Sequence, residues 1–151
     1  MNDVERRALI TALRSLWQGW SDLRFGQLLR LAVGEDVRRL GRLTDEGLAA
    51  GVAAAARDAP GDPPPPPPYW DTEARRGRGF LNGLPRDPAR IDGVLSALSA
   101  AWSAHPELTL AEVVELALNR GNVAENQFGT RALLIEDGPL RKLLDVVSAD
   151  Q

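Results

Sequence analysis

The sequence predicts an all-α protein made of two pseudo-symmetric helical units that arose by internal duplication and are joined by a polyproline strap. Three observations predict it. Apolar residues recur at three- and four-residue spacing through both ends of the chain, the period of a helix with one buried face. The pattern from Leu9 to Val33 returns from Val94 to Leu118 at a constant offset of 85, which lays Leu13 on Leu98, Trp17 on Trp102, Leu23 on Leu108 and Leu31 on Leu116. Six consecutive prolines, Pro63 to Pro68, stand between the two copies.

A second register supports the repeat. Leu43-Thr44-Asp45-Glu46-Gly47-Leu48 lies beside Ile135-Glu136-Asp137-Gly138-Pro139-Leu140 at an offset of 92. The division expected is a first repeat over 1–58, a Pro/Arg/Gly-rich linker over 59–86 and a second repeat over 87–151. A copy of this size buries little surface alone, so the two are expected to share one core across Trp17 and Trp102.

Taken in order, the first helix is expected from Val4 to Gly19, with Asn2 as its cap and Val4, Leu9, Leu13, Leu16, Trp17 and Trp20 on one stripe. The second runs from Phe25 to Val33 and ends at Gly34. Its staple pair Leu23 and Leu28 is present, but Arg24 stands where a capping hydroxyl belongs. That start is expected to be loose or capped by Asp22. Asp36 to Leu40 could form one turn. Thr44 then caps an alanine-rich helix from Asp45 to Arg57.

In the second copy Asp87-Pro88 is a cap and first-turn pair, and the helix runs to Ala104. Thr109 and Glu112 form a capping box for a helix from Leu110 to Leu118, ended near Gly121. Residues 122–135 read equally as a helical turn or a short strand. Asp137 is expected to cap the last helix, with Leu140, Leu143, Leu144 and Val147 facing the core. Between the copies, the prolines form a rod of about 19 Å. Tyr69-Trp70 and an arginine-rich stretch with an Asn82-Gly83 turn follow it.

Composition removes several chemistries. With no cysteine, thiolate catalysis, disulfides and Cys-zinc sites are excluded. The formal net charge of -3 gives no general drive toward nucleic acid. No stretch approaches a membrane span and no signal-type segment opens the chain, so no membrane partner and a cytoplasmic location are expected. No Walker, G-x-G-x-x-G or G-x-S-x-G motif is present, and neither cofactor nor metal is expected.

The candidate residues fall into three groups. Asp45-Glu46 and Glu136-Asp137 could be acid-base pairs, but helix capping accounts for both. His105, the lone histidine, precedes Pro106 and has only Glu107 and Glu112 close in sequence; it reads as a half-exposed turn residue. A small enzyme with an acidic site between the repeats would draw on His105, Glu112, Glu136 and Asp137. Tyr69, Trp70, Arg75, Arg76 and Arg78 mix aromatics with cations, which is also a nucleic-acid style of surface, diluted by Asp71, Glu73 and Asp87. Trp20 is replaced by His105 in the second copy, so it is read as an exposed aromatic of a partner-binding patch.

One resemblance adds to this reading. Trp17 with Asp22-Leu23-Arg24-Phe25-Gly26-Gln27-Leu28-Leu29, and Trp102 with Pro106-Glu107-Leu108 and Ile135-Glu136-Asp137 before Leu140, resemble the motif of small uncharacterised prokaryotic helical proteins. The resemblance implies a tandem version of a normally single unit and brings no activity with it. The expectation is a small interaction or adaptor module whose partner is another protein, with Trp20, Tyr69, Trp70, Arg75, Arg76 and Arg78 as contacts. A small-molecule partner is left open. The enzyme ranks second, and weak nucleic-acid binding through the linker third.

Overall fold

The computed structural model describes residues 2–20, 23–34, 42–58, 89–120 and 135–149. Among these there are six helices and no strand: α1 (Asp3–Gly19), α2 (Phe25–Val33), α3 (Asp45–Asp58), α4 (Ala89–Ala104), α5 (Leu110–Arg120) and α6 (Asp137–Ala149). The expected turn at Asp36–Leu40, the caps Asp22 and Asp87-Pro88, the proline rod, the Asn82-Gly83 turn and the stretch 122–134 lie outside the described residues.

Local sequence chemistry starts most of these helices where expected. Asn2 Oδ1 accepts the Glu5 amide at 2.8 Å, and Thr44 Oγ1 accepts the Gly47 amide at 3.0 Å. Thr109 and Glu112 form both bonds of their capping box, at 2.9 and 3.1 Å. Each satisfies an amide that the first helical turn leaves without an intrahelical partner. At the other end of α2, Gly34 takes a positive φ of 62°, which a side chain would oppose.

The helices pack as two sets of three. α3 lies on α1 and α2, α6 lies on α4 and α5, and α1 and α4 meet between the sets. All six helices feed one hydrophobic core. Leu13, Trp17, Phe25, Leu28 and Leu48 from the first set join Ile91, Leu95, Leu98, Leu110, Leu140 and Leu144 from the second, every one nearly or fully buried. Each such side chain contributes about 1.5–3 kcal/mol through the area it removes from water.

α4 buries residues around more than one face, including Val94, Leu95, Ala97, Leu98, Ala101 and Trp102. Its neighbours are α1 on one side and α5 and α6 on the others, and a helix so enclosed needs apolar residues beyond a single stripe. Trp17 and Trp102 are both inside, at 0% and 2% exposure, as their matched places in the sequence predict, whereas Val4, expected on the same stripe, is 73% exposed in the first turn of α1, where the helix has only begun.

Small residues set how closely α3 approaches. A Cβ at Gly51 would fall inside contact distance of the Ala32 carbonyl oxygen on α2. The glycine therefore lets the α3 backbone lie directly against α2, which a larger residue would prevent without moving the helix.

Candidate functional site

Two assemblies of tryptophan, arginine and aspartate hold the two sets of helices together. At the start of α2, the Trp17 indole N–H donates to the Leu23 carbonyl at 2.8 Å, and the Arg90 guanidinium from α4 lies 5.5 Å from the Trp17 ring centre. Arg90 also donates to the Leu23 carbonyl at 2.8 Å and to Asp137 Oδ2 at 2.7 Å. The second oxygen of Asp137 accepts the Phe25 amide at 3.0 Å.

The start of α5 carries a matching set. The Trp102 indole donates to the Leu108 carbonyl at 2.9 Å, and Arg6 from α1 sits 4.9 Å over the Trp102 ring while donating to the Pro106 carbonyl. Asp45 Oδ1 accepts the Leu110 amide at 2.8 Å.

These bonds correct two expectations. Asp137 aims its carboxylate at α2 of the other set rather than capping its own helix, and Asp45 does the same for α5. The start of α2 is not loose: Gln27 accepts the Arg24 amide at 2.8 Å, and Asp137 accepts the next one. The carboxylates act as caps, as the sequence implies, but on helices 112 and 65 residues away. An orphan amide at a helix start donates to any well-placed oxygen, whatever its distance along the chain.

Burial raises the pKa of both aspartates above 3.8, against the opposing pull of Arg90 and the Phe25 amide on Asp137 and of the Leu110 amide and Arg6 on Asp45. A carboxyl whose folded pKa is raised stabilises the fold most below its unfolded pKa, and that contribution is lost as the pH rises through the folded value. The free-energy gap between wild type and Asp137→Asn is therefore expected to move in favour of wild type as the pH is lowered from 7 toward 4. Urea titrations at several pH values measure it, and a flat gap or one of opposite slope contradicts the assignment.

The remaining candidates are dispersed. Glu112 answers the Thr109 amide, and the Glu136 carbonyl accepts the Leu140 amide at 3.0 Å. His105 places Nε2 3.1 Å from the Val147 carbonyl, with Glu107 3.6 Å from Nδ1. Val147 and Asp137 are at opposite ends of α6, a rise of about 15 Å, so His105 and Asp137 do not meet. No group of three or more His, Asp or Glu that could hold a metal ion occurs among the described residues. No described helix is long and apolar enough to cross a membrane.

Trp20 differs from its expected place. It is 7% exposed and forms part of the floor of an open groove of about 600 Å³ between α1 and α3. Leu9, Leu16 and Val52 complete that floor. Ala8 and Ala12 line it from α1, and Ala49, Ala53 and Ala56 line it from α3. Among the described lining residues Glu5 is the charged one, and Ser15 and Gly19 line the groove further along α1. Tyr69, Trp70, Arg75, Arg76 and Arg78 lie outside the described residues.

The corresponding place in the second set is lined differently. At the offset of 85, Ala8 corresponds to Gly93 and Trp20 to His105. The Arg141 guanidinium lies against Gly93, and His105 is bonded to α6. At the offset of 92, Ala49 of α3 corresponds to Arg141 of α6, a longer side chain that reaches Gly93.

Sequence reading missed Arg6, Arg90 and the groove. The two arginines serve the same role one residue out of the offset of 85 (Arg6 falls opposite Ile91, not Arg90), so that offset conceals them. Alanines carry no chemistry that would single them out. Comparison with protein-family models, with curated proteins and with solved structures found no match for this chain.

Proposed function

We propose that the chain is a tandem of one helical unit whose copies complete each other's helix starts, and that it serves as a non-catalytic protein-interaction module. The tandem reading draws support from the paired indole-to-carbonyl bonds of Trp17 and Trp102, six residues apart in each case, and from the reciprocal caps Asp137 to Phe25 and Asp45 to Leu110. It agrees with the resemblance to single-unit prokaryotic proteins. The polyproline segment would then serve as the tether between copies.

The interaction reading rests on one observation, the apolar groove between α1 and α3. Its alanine walls and buried floor suit the side chains of a docked helix from another protein. The polar groups nearest to a catalytic constellation are occupied elsewhere: Asp137 and Asp45 cap helices, and Glu112 completes a capping box.

Ala53→Arg places a long charged side chain in the groove from an exposed helix position, where it should leave the fold intact. Pull-down from the native lysate is expected to recover a protein with wild type and with Lys142→Ala on the exposed side of α6, and to lose it with Ala53→Arg. Retention by all three, with unchanged helical circular dichroism, removes the groove as the contact surface. The same comparison with Trp70→Ala reads whether the linker aromatic takes part.

A further inference from the structure

We infer that the two ends of the interface between the sets are unequal, and that the end at the start of α5 opens before the rest of the fold while the end at the start of α2 stays shut. The two ends are directly comparable because each is built from the same parts. A tryptophan indole bonds a turn carbonyl, an arginine from the other set covers the ring, and an aspartate from the other set takes the first amide of the next helix.

The arginines differ. At the α2 end Arg90 donates from Nε to Asp137 Oδ2 at 2.7 Å and from a terminal nitrogen to the Leu23 carbonyl. The aspartate that caps α2 is thus itself fastened by a charge-assisted bond. At the α5 end Arg6 donates from a terminal nitrogen to the Pro106 carbonyl, but its Nε is buried and finds no hydrogen-bond partner among the described residues. Asp45 caps Leu110 without that fastening. A buried donor with no acceptor weakens the closed state.

The register of the two arginines gives the cause. Arg90 stands one residue earlier in its helix than Ile91, the counterpart of Arg6. One residue is about 100° of turn and about 1.5 Å of rise, so the two stems approach their rings from different sides. Only one presents its Nε to the carboxylate.

A second contact favours the same end. Arg14 of α1 and Asp92 of α4 form an ion pair at 2.9 Å, close in the chain to Arg90. At the offset of 85 the matching positions are Ser99 and Arg7, which cannot form an ion pair. The Arg14 pair is exposed and adds little, but it adds to the end that is already fastened. The turn from His105 to Leu108 stays with its own helices, through the Trp102 bond to Leu108 and the contact of His105 with Val147. Opening therefore frees Arg6 and Asp45 from that turn and uncovers the Trp102 ring and the Leu110 amide, with neither set unfolding.

Two amides report on the two ends. Phe25 and Leu110 are buried first residues of their helices, and the acceptor of each amide is a carboxylate of the opposite set. Each is protected from hydrogen exchange only while its own end is shut. In native-state exchange of the full chain, followed by NMR and corrected for intrinsic rates, protection at Phe25 is expected to exceed that at Leu110 by about ten-fold or more, the effect of one charge-assisted bond. Low urea should leave the Leu110 rate nearly unchanged, the sign of a small opening. Arg90→Met, which keeps an apolar stem over Trp17 but removes the ion pair, should bring protection at Phe25 down toward that at Leu110. Arg6→Met should lower protection at Leu110 and leave Phe25 as it is.

Protection at Leu110 equal to or above that at Phe25 in the wild type overturns the inference, as it would if a water joined Arg6 Nε to Asp45. So does a Leu110 rate that rises with urea as steeply as global unfolding, or an Arg90→Met protein in which both amides lose protection together. The wild-type comparison decides even where a variant fails to fold.

Discussion

Trp17→Ala is expected to lower the stability of the fold by about 3–5 kcal/mol, the range for removing a large buried aromatic. The side chain is fully buried, its ring is 5.5 Å from that of Phe25, and Arg90 covers it. Alanine leaves a cavity where three helices meet and removes the indole N–H from the Leu23 carbonyl. That carbonyl keeps its bond from Arg90, so the loss comes mainly from packing. Trp17→Phe should cost less than half as much, because most of the ring volume is retained. In a chain of this length the alanine variant should melt roughly 6–20 °C lower. Urea denaturation gives the free energies. A loss below about 1 kcal/mol would mean that the core collapses into the space and that Trp17 does not anchor it.

Asp137→Ala is expected to destabilise by about 2–4 kcal/mol, between the loss of a helix cap and the breaking of a buried ion pair. It strips the Phe25 amide of its acceptor and leaves Arg90, whose side chain is 18% exposed, without its carboxylate. Arg90 retains the Leu23 carbonyl and the Trp17 ring, which holds the estimate below the full cost of an isolated buried charge. Asp45→Ala should cost only about 1 kcal/mol, because the bond it loses is the cap on Leu110. The order of the two variants is the sharper test. If Asp45→Ala proved the more damaging, the Arg90 pairing would not be the larger contribution. A double-mutant cycle with Arg90→Ala isolates the coupling directly.

Much of the helical plan is legible from local residues. Asn2, Thr44 and the Thr109–Glu112 box act on amides within three positions of themselves, so sequence spacing identifies the helix starts. Leu13, Trp17, Leu98 and Trp102 fall on the apolar stripes that the helical period requires, and all four are buried. The candidate site was less accessible. Trp20 stands out as an aromatic without an apolar counterpart, but many of the residues that line the groove with it are alanines, whose role depends on what lies opposite.

The sequence by itself determined the all-helical class, the local caps and the apolar faces, because each depends on contacts spanning one or two turns. Only the tertiary structure decided that Asp45 and Asp137 cap helices of the opposite set, that Arg6 and Arg90 cover the two tryptophans, and that the described residues of α1 and α3 form a groove between them. Those features depend on where separate helices come to rest. That position is settled by the combined volumes of many side chains, and no short spacing in the chain records it.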